Sequence, residues 1–221
     1  MTTLNLTVIW IGTVVILISF VMAIFIPVNK RAYMKGFYFY SLIALLISGN
    51  TILSSIFLIY SLRIFYIIQS VLAFCSLVFW IFFFHKVLND YTLKKIIQLL
   101  FLCTFLLTIC LLYFSSSNKP NLQIVALTNM CQAIFCIFFY YNLFKNLSSQ
   151  NILLEPSFWI VAGLIFYSCL SIPFYALNSY IKQEFPSIIS SKIFSISNIM
   201  IIIMHLFFIK GYLCTIRLHR G

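Results

Sequence analysis

The chain has 221 residues, 63% hydrophobic and 8% charged, with 14 Lys and Arg against three acids and a formal net charge of +11. A soluble domain is about 25% charged, and folding still leaves much of a chain this size facing solvent. A water-soluble globule is therefore excluded. The cations fall in loops between apolar runs, so the basic excess is not read as nucleic-acid binding.

The apolar runs are long and continuous, unlike the roughly ten-residue alternating segments of a membrane barrel. Backbone groups in lipid must pair within a helix or a closed barrel. The predicted fold class is all-α: a polytopic membrane protein, a seven-transmembrane-helix bundle forming one domain over residues 1–221.

Crossing the hydrocarbon core takes about 20 apolar residues, and the runs that meet this length are taken here in chain order. The first covers 4–28 and stops at Pro27-Val28-Asn29-Lys30-Arg31. No basic residue precedes Lys30 and the run is too long for a leader, so a cleaved signal peptide is not expected. The second covers 37–60, and a short turn at 61–63 leads to the third, 64–88. The fourth is 96–114, closed by Ser115-Ser116-Ser117-Asn118-Lys119-Pro120, and the fifth is 122–144. The sixth is 156–178, with Pro156 where the first helical turn tolerates proline. The seventh is 190–214, with a tail after Lys210.

Orientation follows from the Lys and Arg of alternate loops. One side holds Lys30, Arg31, Lys35, Lys86, Lys94, Lys95, Lys145, Lys210, Arg217 and Arg220; the other holds Arg63, Lys119, Lys182 and Lys192. Ten against four predicts N-out, C-in topology, with anionic lipid headgroups gathered on the cytoplasmic side.

Ionisable groups inside a membrane are functional candidates. The three acids, Asp90, Glu155 and Glu184, all fall between runs, which argues against a carboxylate relay or an intramembrane aspartyl protease. His205 alone sits near a helix centre, where a lone histidine more often bonds a neighbouring helix than catalyses. With His85 and His219 it gives no metal-ligand spacing, so no metal, cofactor or catalytic residue is expected. Lys210, near the inner end of the last run, is read as snorkelling to the interface. The seven cysteines form no CxxC pair and read as buried small hydrophobes.

Amide and hydroxyl side chains carry more information. Candidates for a ligand pocket are Asn50, Gln69, Asn129, Gln132, Ser168, Ser171, Asn198 and His205. Asn129 and Gln132 share a face at a spacing of three. Ser168, Ser171 and Tyr175 form a second stripe, and Ser195, Asn198 and His205 a third. The assigned orientation puts Gln69, Asn129, Ser171 and Asn198 in the outer half, with Asn50, Gln132 and Ser168 near the middle. Ordinary interhelical glue accounts for most such residues, whereas their gathering in one leaflet points to an outward-open polar pocket. Pro173 removes a backbone hydrogen bond and clashes with the carbonyl of Cys169, so it is the expected kink and hinge.

Three stretches resemble a known group: Tyr66-Ile-Ile-Gln69-Ser-Val, Pro156-Ser-Phe158-Trp159-Ile-Val-Ala-Gly163-Leu-Ile-Phe-Tyr167, and Ile196-Ser-Asn198-Ile199. The group is that of uncharacterised bacterial seven-helix membrane proteins related to the membrane region of some sensor histidine kinases. Gln69 stands where the group often has Glu, and Val161 where it has Asn. The resemblance implies a multi-pass protein of the bacterial cytoplasmic (inner) membrane. It also implies a receptor-like, non-enzymatic signalling component, with output through a separate cytoplasmic partner such as a histidine kinase. A small-solute transporter is the alternative, and an intramembrane enzyme acting on lipid the second alternative.

Overall fold

A computed structural model describes residues 3–26, 34, 36–57, 62–114, 123–146, 152–177, 180 and 187–220. These residues are helical almost throughout. The helices are α1 (Thr3–Ile24), α2 (Phe37–Phe57), α3 (Leu62–Val87), α4 (Tyr91–Phe114), α5 (Gln123–Lys145), α6 (Pro156–Ala176) and α7 (Ser187–Arg220). A short 3-10 turn, Ile152–Leu154, precedes α6.

Six of the helices are long and apolar enough to cross a membrane; in α2 the apolar stretch is the shorter Phe37–Ile52. The predicted runs agree with the helices to within a few residues at most ends. The exceptions have local causes. α4 begins at Tyr91 rather than at 96, because Asp90 caps it: the Thr92 backbone N–H donates to Asp90 Oδ1 at 2.9 Å. α7 continues to Arg220, so the expected tail after Lys210 is instead helix, with Tyr212, Cys214 and Thr215 buried. At about 1.5 Å per residue its 34 residues span about 51 Å.

Local chemistry sets two of the helix starts. Gly36 has φ 102°, a left-handed conformation open to glycine, and its carbonyl accepts from the N–H groups of Phe39 and Tyr40. Pro156 opens α6 as predicted, after Glu155 in extended conformation (φ −78°, ψ 116°). Trp159 Nε1 then donates to the Leu153 carbonyl at 2.8 Å, folding the 3-10 turn back onto α6.

Neighbouring helices run in the circular order α1, α2, α3, α5, α6, α7 and back to α1, with α4 outside against α3 and α5. Large apolar side chains also cover the outside, including Trp10, Val14 and Leu17 of α1 and Leu99, Leu102 and Leu106 of α4. A protein apolar both inside and outside has the surface of a multi-pass membrane protein.

The core concentrates at the end of the bundle where α2 begins. Phe37 is fully buried, and the rings of Phe79, Trp80, Phe83, Phe208 and Tyr212 surround it at centroid distances of 5.2 to 6.2 Å. Most of these contacts are edge-to-face, the arrangement the ring quadrupoles favour. The same end carries an ion pair between Lys145 Nζ and Asp90 Oδ2 at 3.7 Å, and Lys210 lies over the Trp159 ring at 5.6 Å. Three chain segments with inner-side cations in the sequence reading therefore converge there, the α3–α4 connection, the end of α5 and the late part of α7, beside the start of α6.

α6 and α7 approach most closely. A Cβ on Gly163 would lie 2.7 Å from Phe207 Cβ and 2.9 Å from the Met204 carbonyl. One on Gly211 would lie 3.0 Å from both Ile160 Cγ1 and the Pro156 carbonyl. Small residues at such crossings let helix backbones touch.

Candidate functional site: two buried polar layers

The first polar layer joins α5 to α6. Asn129 Nδ2 donates to Ser171 Oγ at 2.8 Å, and Ser168 Oγ approaches Gln132 Oε1 at 3.5 Å. Ser171 Oγ also donates to the Ser168 carbonyl at 3.2 Å. All four residues are buried. The helices run antiparallel, so residues three apart on α5 meet residues three apart on α6 in reverse order. Tyr167 adjoins both Tyr175 and Asn129, which extends the layer along α6.

The second layer lies toward the opposite end, inside the aromatic core. His205 is fully buried; its ring stacks with Tyr40 at 6.3 Å and meets Phe208 at 5.3 Å. Trp80 packs against Tyr40 at 4.9 Å, and the Tyr40 hydroxyl reaches the Met204 sulfur at 3.9 Å. Beyond them the Tyr212 hydroxyl faces Ser19 of α1 and Ser41 of α2.

The structure places the eight predicted pocket residues as follows. Asn129, Gln132, Ser168 and Ser171 come together. His205 belongs to the second layer, with different neighbours. Asn50 lies on α2 with its amide nitrogen buried and without a partner among the described residues. Asn198 is half-buried on α7, and the side chain of Gln69 lies outside the described residues. Tyr167 links the seam to the surroundings of His205, since it adjoins Asn129 on one side and Tyr40 on the other.

The predicted hinge residue lies close to the end of its helix. Pro173 sits in the last turn of α6, exposed, and its carbonyl accepts the capping N–H of Leu177 at 3.0 Å. The cysteines are corrected in part. All seven are free, but Cys75, Cys103, Cys110 and Cys169 are exposed, and only Cys131, Cys136 and Cys214 are buried.

No family model, curated protein or solved structure matches this chain. The geometry alone must therefore carry any functional reading. Trp80, Tyr40, Tyr212, Ser19 and Ser41 were missed in the sequence, where each sits in an apolar run without an amide neighbour. The signal that could have found them is chemical: a buried tyrosine or tryptophan usually finds a hydrogen-bond partner for its polar end.

Outside the spanning segments, Asp90 is the notable electrostatic site. Its carboxyl is held below the usual carboxylate range, first by the Thr92 backbone N–H and then by the Leu93 N–H and the Lys145 ammonium. This stabilises the start of α4. Among the described residues no group of three or more His, Cys, Asp or Glu side chains is placed to hold a metal ion.

Proposed function

We propose that the chain is a seven-span protein of the bacterial cytoplasmic membrane, N-out and C-in, acting as a receptor-like signalling component whose sensing site is the α5–α6 polar seam. The observation that carries this reading is the paired contact of Asn129 with Ser171 and Gln132 with Ser168. Such bonds in a membrane interior average only about 0.6 kcal/mol. They are strong enough to set the register of two helices and weak enough to be exchanged for the groups of a small solute. The seam offers amide and hydroxyl groups and no formal charge, so it suits a neutral solute bearing hydroxyl, amide or carbonyl groups. A solute that bonds better to one spacing of α5 and α6 shifts the population toward that spacing.

The displacement has a route inward. α6 is locked to α7 at Gly163 and Gly211, and α7 extends beyond its apolar segment, Ser195–Ile216, to Arg220. A separate cytoplasmic partner, such as a histidine kinase, would read the movement there. Signalling is favoured over transport because α5 and α6 run unbroken, whereas transporter sites are typically formed by discontinuous helices.

The test uses a deletion strain complemented with the natural chain or with Asn129→Ala, challenged with a panel of labelled neutral solutes. The receptor reading expects a solute-dependent transcript response that the deletion abolishes and Asn129→Ala weakens, with uptake unchanged. Uptake that falls in the deletion, without a transcript response, makes the protein a transporter.

A further inference from the structure

The end of the bundle that gathers the inner-side cations also carries an apolar patch. The outer face of α7 runs through Ile196, Ile199, Leu206 and Leu213, which are between 44 and 52% exposed. Lys210 shares that face, four residues after Leu206 and three before Leu213, and is exposed. It lies inside the apolar segment Ser195–Ile216, six residues before its end, or about 9 Å along the axis. A cation on the outer face of an apolar segment calls for a counter-charge or a route to water.

Lys210 has a fixed place. Its Nζ lies over the Trp159 ring at 5.6 Å, so the side chain reaches across to α6. Trp159 is itself held. Its Nε1 donates to the Leu153 carbonyl at 2.8 Å, and its ring meets Phe158 edge-on at 5.5 Å and Phe207 of α7 at 6.0 Å. The indole N–H is therefore occupied, and the ring face is left for the ammonium. A cation seated on a ring face keeps its N–H donors for another acceptor. Among the described residues no carboxylate pairs with Lys210. Asp90 takes Lys145 at 3.7 Å, and Glu155, just before α6, accepts from Ser157 Oγ at 3.1 Å.

The Ile152–Leu154 turn completes the patch. Trp159 and Cys214 both reach the Leu153 carbonyl, at 2.8 and 3.9 Å, which ties the turn to α6 and to α7. Leu153 and Leu154 are 55% and 53% exposed. A fixed ammonium, an indole face and exposed leucines on three joined elements form an amphipathic surface, a positive charge beside an apolar track.

We propose that this surface binds one anionic phospholipid, whose phosphate takes the Lys210 ammonium and whose acyl chain follows Leu206 and Ile199 along α7. The chemistry selects the class. Phosphate oxygens accept from the donors that the ring face leaves free. The chain covers apolar side chains that the bundle leaves outside. A headgroup without an ammonium of its own brings no further positive charge to a side where the sequence already places ten cations. A bound lipid bridges the turn, α6 and α7, and so braces the junction formed at Gly163 and Gly211. The inference rests on the membrane reading of the chain and not on the sensing role of the α5–α6 seam.

Trp159 can report its own lipid. The chain has three tryptophans; Trp80 is fully buried, and Trp10→Phe removes the exposed one on α1. The Trp10→Phe chain in nanodiscs is titrated with phospholipids brominated on the acyl chains, phosphatidylglycerol or phosphatidylcholine at equal mole fraction. Quenching should give phosphatidylglycerol an association constant about fivefold that of phosphatidylcholine, the ratio equivalent to about 1 kcal/mol for one lysine beside anionic lipid. Adding Lys210→Gln should bring the ratio to about one, and Lys210→Arg should keep it. Lys86→Gln removes another exposed cation and should leave the ratio unchanged. A ratio near one before Lys210 is altered overturns the proposal, as does a ratio that survives Lys210→Gln. Absence of quenching by either lipid overturns the membrane reading itself, and the site with it.

Discussion

At the scale of single residues, Gly163 decides how close α6 and α7 can come. Any side chain there meets Phe207 and the Met204 carbonyl, and the latter is backbone and cannot swing aside. Gly163→Ala should lower stability by about 1–3 kcal/mol, the usual cost of overpacking. Gly49→Ala, with nothing within 4 Å of its Cβ, should not. Reversible unfolding in mixed micelles measures both, and equal effects would mean that the crossing is looser than its distances. The Asn129–Ser171 pair gives a second expectation. A double-mutant cycle with Asn129→Ala and Ser171→Ala should return a coupling of about 0.6 kcal/mol, with about 1.7 as the upper limit for such bonds. The seam was legible in the sequence because spacings of three put its residues on one face of each helix. The aromatic layer around Tyr40 was not: Trp80, His205 and Tyr212 come from different helices and share no spacing, so only the folded bundle brings them together.

At the scale of elements, helix limits were legible wherever a run met proline, a serine cluster or a charge. They failed where the deciding feature was a cap or a packing face. Asp90 is the clearest case, a side chain that adds more than a turn to α4 by holding the Thr92 N–H. Its folded-state titration lies below the usual carboxylate range, so its stabilisation is present above the unfolded value and lost as pH falls through the folded one. Asp90→Ala should therefore be less stable than the natural chain near neutral pH, and the difference should shrink in acid. Asp90→Asn should keep most of the benefit, because an amide still caps a helix and the exposed Lys145 pair contributes little. Melting curves across the acid range separate these outcomes. Pro173→Ala should leave both stability and any solute response close to natural, since only one turn follows it. A large change in response would restore the proline as a lever.

At the scale of the whole molecule, a helix stands at each of the seven predicted runs, and six of these helices are long and apolar enough to cross a membrane, α2 having the shorter apolar stretch. Their circular order was not legible in the sequence, because an apolar surface that suits lipid equally suits another helix. The topology reading expects a periplasm-active phosphatase fused after Arg220 to stay inactive; an active fusion would reverse the orientation or remove one span. The closure of the ring also governs when the protein can finish forming. α1 rests on α7 as well as on α2, with Gly12 lying 3.6 Å from Ile202 through its would-be Cβ. These two helices are separated by most of the chain. During synthesis α1 must wait, half-housed against α2 through the Thr13–Ser48 contact of 2.6 Å, until α7 leaves the ribosome. Until then the Ser19 hydroxyl lacks its final surroundings. The nascent protein is thus most open to quality control in the last interval of translation, and a chain cut short before α7 should be cleared rather than accumulate.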